Sequence, residues 1–321
     1  MALDLSTFHL TFNDDFNSFN ANPDGNGAWK TQFYFGGRSL PSNGEQQYYS
    51  DATVGADPFR VEDGHLVITA SPGDNAGGNW YNSGLVTTEG TFSQTYGYFE
   101  IGAQLPEGQG MWPAFWLLST DKAWPPEIDV LEAFGADNGR GEGGGNEIHV
   151  NSITSHWDTG GGGDWVPTTG NIFSGDHVYG VDWEPDTTTF YMDGQELYHV
   201  ATPSDMHSPM YMLANLAVGG NWAGGAAGEN GEMKIDFIRA WSHDAPADNV
   251  PLNGNGAPEM PEWVAHDDAP PPADAMAADV ASDWTPPPAD QGPQAADVPP
   301  ADVPPPEVAY DAPPQSDWLQ A

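Results

Sequence analysis

The chain has 321 residues with 47 acidic side chains, seven Lys or Arg and no cysteine, and its formal net charge is −40. A charge this negative disfavours nucleic acids and anionic membrane surfaces, and there is no apolar run of about 18 residues to insert into a bilayer. The lack of cysteine excludes disulfides, zinc–thiolate centres and thiol nucleophiles.

Residues 1–243 carry the patterns of many short β-strands. Runs such as 65–70, 97–105 and 189–192 are rich in β-branched and aromatic residues, and Gly, Asn and Asp separate them. Asp193-Gly194 lies between two such runs and predicts a β-hairpin. Because no helical periodicity alternates with the strands, we predict an all-β fold, a curved β-sandwich jelly roll with an open concave cleft.

Three acids alternate with apolar residues within 127–132. Strict strand periodicity places Glu127 and Asp129 on one face and Glu132 on the other. A β-bulge near Val130 would bring all three onto one face. Two carboxyl groups about 5 Å apart serve retaining glycosidases as nucleophile and acid/base, and a third between them would tune the nucleophile. A solvated acidic strand without chemistry is the plainer alternative.

The segment 126–134 resembles the Glu-(Ile/Leu/Val)-Asp-x-x-Glu signature of glycoside hydrolase family 16, in its bulged form. Further segments follow the order of that family, namely 12–16, 43–49, 96–100, 105–116, 182–185, 212–222 and 236–239. The resemblance covers 8–241 and implies a jelly roll with a sugar-binding cleft. It also implies that Glu127 is the nucleophile, Asp129 its assisting acid and Glu132 the general acid/base.

Aromatic side chains are candidates for sugar contacts, because an indole ring packs on the apolar face of a sugar. Trp112 and Trp116 lie four residues apart, just before the acidic segment. The family resemblance places both near the cleft and adds further contacts at Asn43, His149, Asn215 and Trp222. For any single Trp, and for His149, a purely structural role is the alternative.

The same resemblance implies a structural Ca²⁺ on the convex side of the sandwich. Asp15, the backbone carbonyl of Gly64 and Asp236 occupy the matching positions, and their oxygens are the ligands that a hard cation prefers. A reaction driven by two glutamates requires no cofactor for catalysis.

Together these features predict an endo-acting retaining β-glycanase, a monomer whose substrate is a β-1,3/1,4-linked glucan or a glucose-rich bacterial exopolysaccharide such as succinoglycan. The segments 44–49 and 124–129 are similar to bacterial enzymes that cut succinoglycan. The alternatives are a transglycosylase on the same fold and a non-catalytic carbohydrate-binding module. Residues 1–243 carry 32 acidic and seven basic side chains, which disfavours heavily sulfated galactans. Arg38 and Arg140 are the candidate readers of a sparse acidic substituent.

Composition changes sharply in 244–321, which holds 18 of the 30 prolines, 15 acidic residues and no Lys or Arg. This composition predicts a disordered tail. The N-terminus has neither the charged nor the apolar region of a cleaved secretion signal. We therefore expect export without a cleaved N-terminal signal, in which the tail contacts the secretion machinery. A cytoplasmic chain, or one whose leader is already missing, is the alternative.

Overall fold

Short β-strands make up nearly all the regular structure. The structure, a computed structural model, describes residues 3–21, 27–154, 160–225 and 228–244. These residues form sixteen strands, two 3-10 turns (Leu5–Thr7 and Pro41–Asn43) and one short helix, α1 (Gly220–Ala223). The strands are β1 (His9–Asp14), β2 (Gln47–Tyr49), β3 (Phe59–Glu62), β4 (His65–Pro72), β5 (Tyr81–Ser83), β6 (Leu85–Thr87), β7 (Gly97–Gln104), β8 (Met111–Ser119), β9 (Glu127–Glu132), β10 (Glu147–Ile153), β11 (Gly162–Pro167), β12 (His177–Trp183), β13 (Thr187–Met192), β14 (Gln195–Ala201), β15 (Met210–Val218) and β16 (Gly231–Ser242).

The predicted tail, 244–321, lies outside the described residues from 245 onward. Its disorder and the domain division at 243 therefore stay predictions.

The strands form two sheets. The larger has ten strands in the order β14-β13-β12-β7-β16-β4-β5-β2, with β1 paired to β16 and β3 paired to β4. The smaller has six strands in the order β11-β10-β9-β8-β15-β6. Side chains from both sheets meet in one large apolar core, which confirms the predicted all-β sandwich. Half of the neighbouring pairs, such as β9 with β8, are consecutive in sequence, and the other half, such as β7 with β16, join distant strands.

The six-stranded sheet is apolar on both faces along β8. Odd-numbered residues such as Phe115 and Leu117 point into the main core. Even-numbered residues such as Trp112 and Trp116 belong to separate clusters on the outer face. This alternation explains why β8 reads as an almost continuous apolar run, and it places the tryptophans on the face that carries the candidate site.

The hairpin predicted at Asp193-Gly194 is present. β13 and β14 pair up to Met192 and Gln195, so the turn holds two residues. Both adopt left-handed backbone angles, with φ of 49° at Asp193 and 70° at Gly194. A two-residue turn with positive φ at both positions matches the twist of the flanking strands.

None of the helices in the described ranges is long and apolar enough to cross a membrane.

Candidate active site

β9 contains a bulge at Val130. Leu131 lies opposite Phe115 of β8, but the next pair along β8 is Trp116 with Asp129, so Val130 has no counterpart. The register with β10 shows the same extra residue, since Glu132 pairs with His149 and Asp129 with Asn151. Val130 and Leu131 both lie in the main core. Glu127, Asp129 and Glu132 therefore project from the outer face together.

Burial shapes the charge of the two acids at the start of β9. Desolvation raises the pKa of Asp129 well above its usual range, and the neighbouring charges of Glu127 and Glu132 raise it further. Desolvation and Glu132 also raise the pKa of Glu127, whereas hydrogen bonds from Trp124 and Asp129 oppose the increase. This arrangement keeps the proton on Asp129, which donates it in a hydrogen bond to the Glu127 carboxylate.

A tryptophan just before β9 contacts the same carboxylate. Trp124 Nε1 donates to Glu127 Oε2 over 3.2 Å, although the indole ring is 64 % exposed. An N–H donor favours the ionised form of a carboxyl group. An exposed ring at this position also offers an apolar surface beside Glu127.

Both oxygens of Glu132 have partners from the surrounding aromatic cluster. Trp112 Nε1 donates to Oε1 over 3.0 Å, and His149 Nδ1 lies 2.9 Å from Oε2. The Trp222 ring lies 5.4 Å from the Trp112 ring and 4.8 Å from the His149 ring, centroid to centroid. Three of the predicted sugar contacts thus surround Glu132 and fix its orientation.

The remaining predicted sugar contacts lie on either side of this cluster. Trp116 Nε1 donates to Asn215 Oδ1 over 2.7 Å, which joins β8 to β15 beside Asp129. Asn43 lies in the second 3-10 turn, where its side-chain amide donates to Glu45 Oε1 over 3.0 Å. The structure therefore gathers all six residues around the outer face of β9, with sugar contact itself remaining a prediction.

Besides Trp124, two further site residues escaped the sequence analysis. Trp165 on β11 lies 5.4 Å from the His149 ring and 5.9 Å from the Trp222 ring. No motif surrounds Trp165, and only the pairing of β10 with β11 brings it here. Glu45 accepts hydrogen bonds from Asn43 and Gln47, and burial raises its pKa, with a further contribution from Glu132. A lone acid among amide side chains in 43–49 was the available signal for Glu45.

The predicted calcium ligands lie around the middle of β16, which contains Asp236. Asp15 follows β1, which pairs with β16 up to Asp14, and Gly64 lies in the turn between β3 and β4. Asp236 is the extra residue of a bulge on β16. Burial raises its pKa, and the charges of Asp176 and Asp15 raise it further. Carboxylate oxygens are the ligands that a hard cation prefers. Asp15, however, already contacts Asn13 Nδ2 at 3.1 Å and Arg239 Nη2 at 3.3 Å, and no group of three or more His, Asp or Glu in the described ranges has the arrangement of a metal site.

Known proteins resemble this chain in sequence and structure. Residues 46–239 match the profile of Glycosyl hydrolases family 16. The endo-1,3-1,4-beta-glycanases ExsH and EglC of Rhizobium meliloti (strain 1021) are 41 % identical over 261 residues and 40 % identical over 259 residues, respectively. Each match covers 76 % of this chain and 54 % of the relative, so the chain spans about half the length of these proteins.

A solved structure gives the same result for the fold. SCLam, a non-specific endo-beta-1,3(4)-glucanase from family GH16, superposes with a TM-score of 0.62 at 28 % identity. The superposition covers 76 % of this chain and 94 % of that one.

Proposed function

Because the chain belongs to glycosyl hydrolase family 16, we propose that it is an endo-acting retaining β-glycanase. The observation that carries this proposal is the bulge at Val130, which brings Glu127, Asp129 and Glu132 onto one face of β9. Hydrolysis with retention needs two carboxyl groups on one cleft wall, one ionised and one able to give and take a proton.

The roles of the three acids follow from their contacts. Glu127 attacks the anomeric carbon of the sugar while Glu132 donates a proton to the departing glycosidic oxygen. In the second step Glu132 removes a proton from water, and the water oxygen displaces Glu127 from the same carbon. Asp129 stays protonated and hydrogen-bonded to Glu127, so it limits the charge that builds up between the two glutamates. No step requires a cofactor.

The substrate we propose is a β-1,3/1,4-linked glucan or a glucose-rich bacterial exopolysaccharide such as succinoglycan. Two relatives are named as endo-1,3-1,4-beta-glycanases. The partly exposed rings of Trp165 and Trp222 pack with the buried Trp112 beside Glu132, where these two rings would pack on sugar faces. The acidic domain further favours glycans without dense anionic groups.

Sizing the products from four polymers tests this function. We expect shorter oligosaccharides from mixed-linkage β-glucan or succinoglycan, and laminarin and agarose complete the panel. Glu127→Gln keeps the shape of the side chain but removes the nucleophile, so hydrolysis should fall by at least about 10³-fold. Circular dichroism of this variant controls for folding. Products longer than the oligosaccharide supplied would indicate a transglycosylase. Binding of a polymer without the appearance of new reducing ends would indicate a carbohydrate-binding module.

We further propose that Asp15, the carbonyl of Gly64 and Asp236 hold a structural Ca²⁺. The charge of Asp15 raises the pKa of Asp236, which places the two side chains close enough to support this proposal. Calcium should raise the melting temperature by several degrees at saturation, because an ion that binds only the folded state stabilises it. Asp236→Asn should abolish this increase, and MgCl₂ serves as the control salt. Equal melting temperatures with and without calcium would contradict the proposal.

The location of the protein is also a proposal. A polymeric glycan is too large to cross a cell membrane. An enzyme that cleaves bonds within the polymer therefore meets this substrate outside the cell. We therefore propose that the protein acts outside the cell and that the acidic segment 244–321 directs its export. Deleting 244–321 should remove activity from the medium and leave it in the cell lysate. Continued secretion of the shortened chain would refute this role for the segment.

A further inference from the structure

Most of the cations in this acidic chain are paired with carboxylates. The chain has seven Lys and Arg residues. Five of them lie within 4 Å of an acidic side chain, and these are Lys30, Arg38, Arg60, Lys122 and Arg239. Lys234 and Arg140 have no such partner among the residues that the structure describes. Lys234 lies on β16 of the ten-stranded sheet, whereas Arg140 lies beside the candidate active site.

Arg140 is anchored at the rim of that site. It belongs to the loop 133–146, which leads directly out of β9. Its Nη2 donates to the backbone carbonyl of Asn221 in α1 over 2.9 Å, and Asn138 in the same loop donates to the carbonyl of Trp222 over 3.1 Å. The loop is thus fastened to the helix that carries Trp222. On its other side, Asn221 packs against Gly44, next to Asn43.

The acids near Arg140 are occupied by the loop itself. Asp137 Oδ1 accepts from the backbone N–H groups of Gly139 and Gly141 over 2.6 and 3.3 Å. Glu142 Oε2 accepts from the side-chain amide of Asn138 over 2.7 Å. These bonds shape the loop and leave the exposed guanidinium of Arg140 without a carboxylate partner, even though the surrounding domain is strongly acidic.

A guanidinium in this position is suited to an anionic ligand. Its fixed fork of N–H donors matches a carboxylate. The negative field of the domain repels anions in general, so an acidic group on a bound glycan needs a local cation to be accepted. Arg38, the other candidate, is engaged elsewhere, because its Nη2 lies 2.7 Å from Asp51 and its Nη1 donates to the carbonyl of Tyr49 over 2.8 Å.

We propose that Arg140 binds a carboxylate-bearing substituent of the glycan and so makes the enzyme favour acid-substituted over neutral β-glucan. This inference rests on the proposed function, because it places the substituent on a polymer bound across β9. Arg140 contacts Asn221, next to Trp222, whereas Glu132 contacts Trp112 and His149; the inference therefore places the substituent on a sugar away from the cleaved bond.

Binding in the absence of turnover gives the sharpest test. In the Glu127→Gln background, affinities are measured for carboxymethylated mixed-linkage β-glucan and for its unsubstituted parent. Adding Arg140→Gln should lower the ratio of charged to neutral affinity by a factor of about 1.5 to 5, the range for an exposed ion pair. Arg140→Lys should restore part of it. Arg60→Gln is the matched control, since Arg60 is an exposed arginine on β3 of the other sheet, and it should leave the ratio unchanged.

Salt and kinetics separate this inference from the proposed function. Raising NaCl from 0.05 to 0.5 M should lower the affinity ratio when Arg140 is present and change it little in the Arg140→Gln variant. An unchanged ratio in Arg140→Gln, or an equal loss in Arg60→Gln, would overturn the role of Arg140. Hydrolysis of neither polymer by the unmodified chain would instead overturn the proposed function.

Discussion

Hydrogen bonds from individual side chains hold the acids on β9 in place. Glu132 is held at both oxygens by Trp112 and His149. Glu127 receives one hydrogen bond from Trp124 and one from Asp129. Glu127 and Glu132 therefore have separate sets of hydrogen-bond donors, while the charge of Glu132 raises the pKa of Glu127.

Replacing Trp124 should change the pH dependence of catalysis. The indole N–H stabilises ionised Glu127 and lowers its pKa. Trp124→Phe removes this donor and keeps a ring, so the pKa of Glu127 should increase. The acidic limb of the kcat/KM profile, where Glu127 loses its proton, should then move to higher pH by about 0.3–1 unit. Trp80→Phe, at an exposed tryptophan outside this contact, is the control, and identical profiles for both variants would contradict the assignment.

A second buried acid should limit stability at alkaline pH. Glu100 on β7 is fully buried; its Oε1 accepts from Trp241 Nε1 over 2.9 Å, and burial raises its pKa from 4.5 to about 7. The folded state holds this proton more tightly than the unfolded state. Its contribution to stability is therefore complete below pH 4.5 and is lost as the pH rises through 7.

Glu100→Gln keeps an acceptor for Trp241 and cannot ionise. At pH 8 the free energy of unfolding should exceed that of the unmodified chain by about 1–3 kcal/mol, and at pH 4 the difference should vanish. Urea unfolding at the two pH values measures this. A variant that is less stable at pH 8 would mean that the attraction between Glu100 and Arg239 outweighs the burial of the charge.

Sequence patterns predicted some residues of the site and not others. The spacing of Glu127, Asp129 and Glu132 points to paired carboxyl chemistry because it is local to one strand. Trp165 enters the site only through pairing between β10 and β11. The contact of Trp124 with Glu127 depends on a side-chain orientation that no spacing encodes.

The bulge at Val130 is one extra residue in the otherwise regular pairing of β9 with β8. In a regular strand of the same sequence, Glu132 would face the core, because it lies three residues after Asp129. With the bulge, Glu132 lies opposite Ala114 and Asp129 opposite Trp116, two positions apart on β8. The bulge therefore lengthens the chain between the two acids and preserves the face on which they lie.

Deletions in β9 test this geometry. Deleting Val130 should give a regular strand with all three acids outward, a stability loss of about 1–3 kcal/mol from the missing buried side chain, and measurable hydrolysis. Deleting both Val130 and Leu131 should turn Glu132 toward the core and remove hydrolysis. Product assays measure hydrolysis, and near-UV circular dichroism shows whether each variant is folded. If both variants fold and neither hydrolyses the polymer, the bulge does not act by setting the face of Glu132.

The strands and the turn at Asp193-Gly194 can be predicted from the sequence, because both depend on residues that are close together along the chain. The bulge was inferred only from the need to bring the acids together. The order of strands in the sheets was not predictable, because pairs such as β1 with β16 join segments more than 200 residues apart.

A strong negative net charge is the dominant property of the protein as a whole. With a formal charge of −40, like charges repel across the surface and destabilise the folded state. Salt should relieve this repulsion, so the melting temperature should increase by a few degrees between 0.05 and 0.5 M NaCl. Scanning fluorimetry with sucrose as an uncharged control measures the effect. A melting temperature that decreases with NaCl would mean that specific ion pairs outweigh the general repulsion.

The strand with the three acids runs without interruption into the loop 133–146. The proposed catalytic acids and the proposed carboxylate-binding Arg140 therefore lie side by side within about twenty consecutive residues. The loop lies at the surface and tolerates exchange more readily than a paired strand. Under these proposals, substitutions in the loop change which polymer is bound and leave the three acids on β9 unchanged.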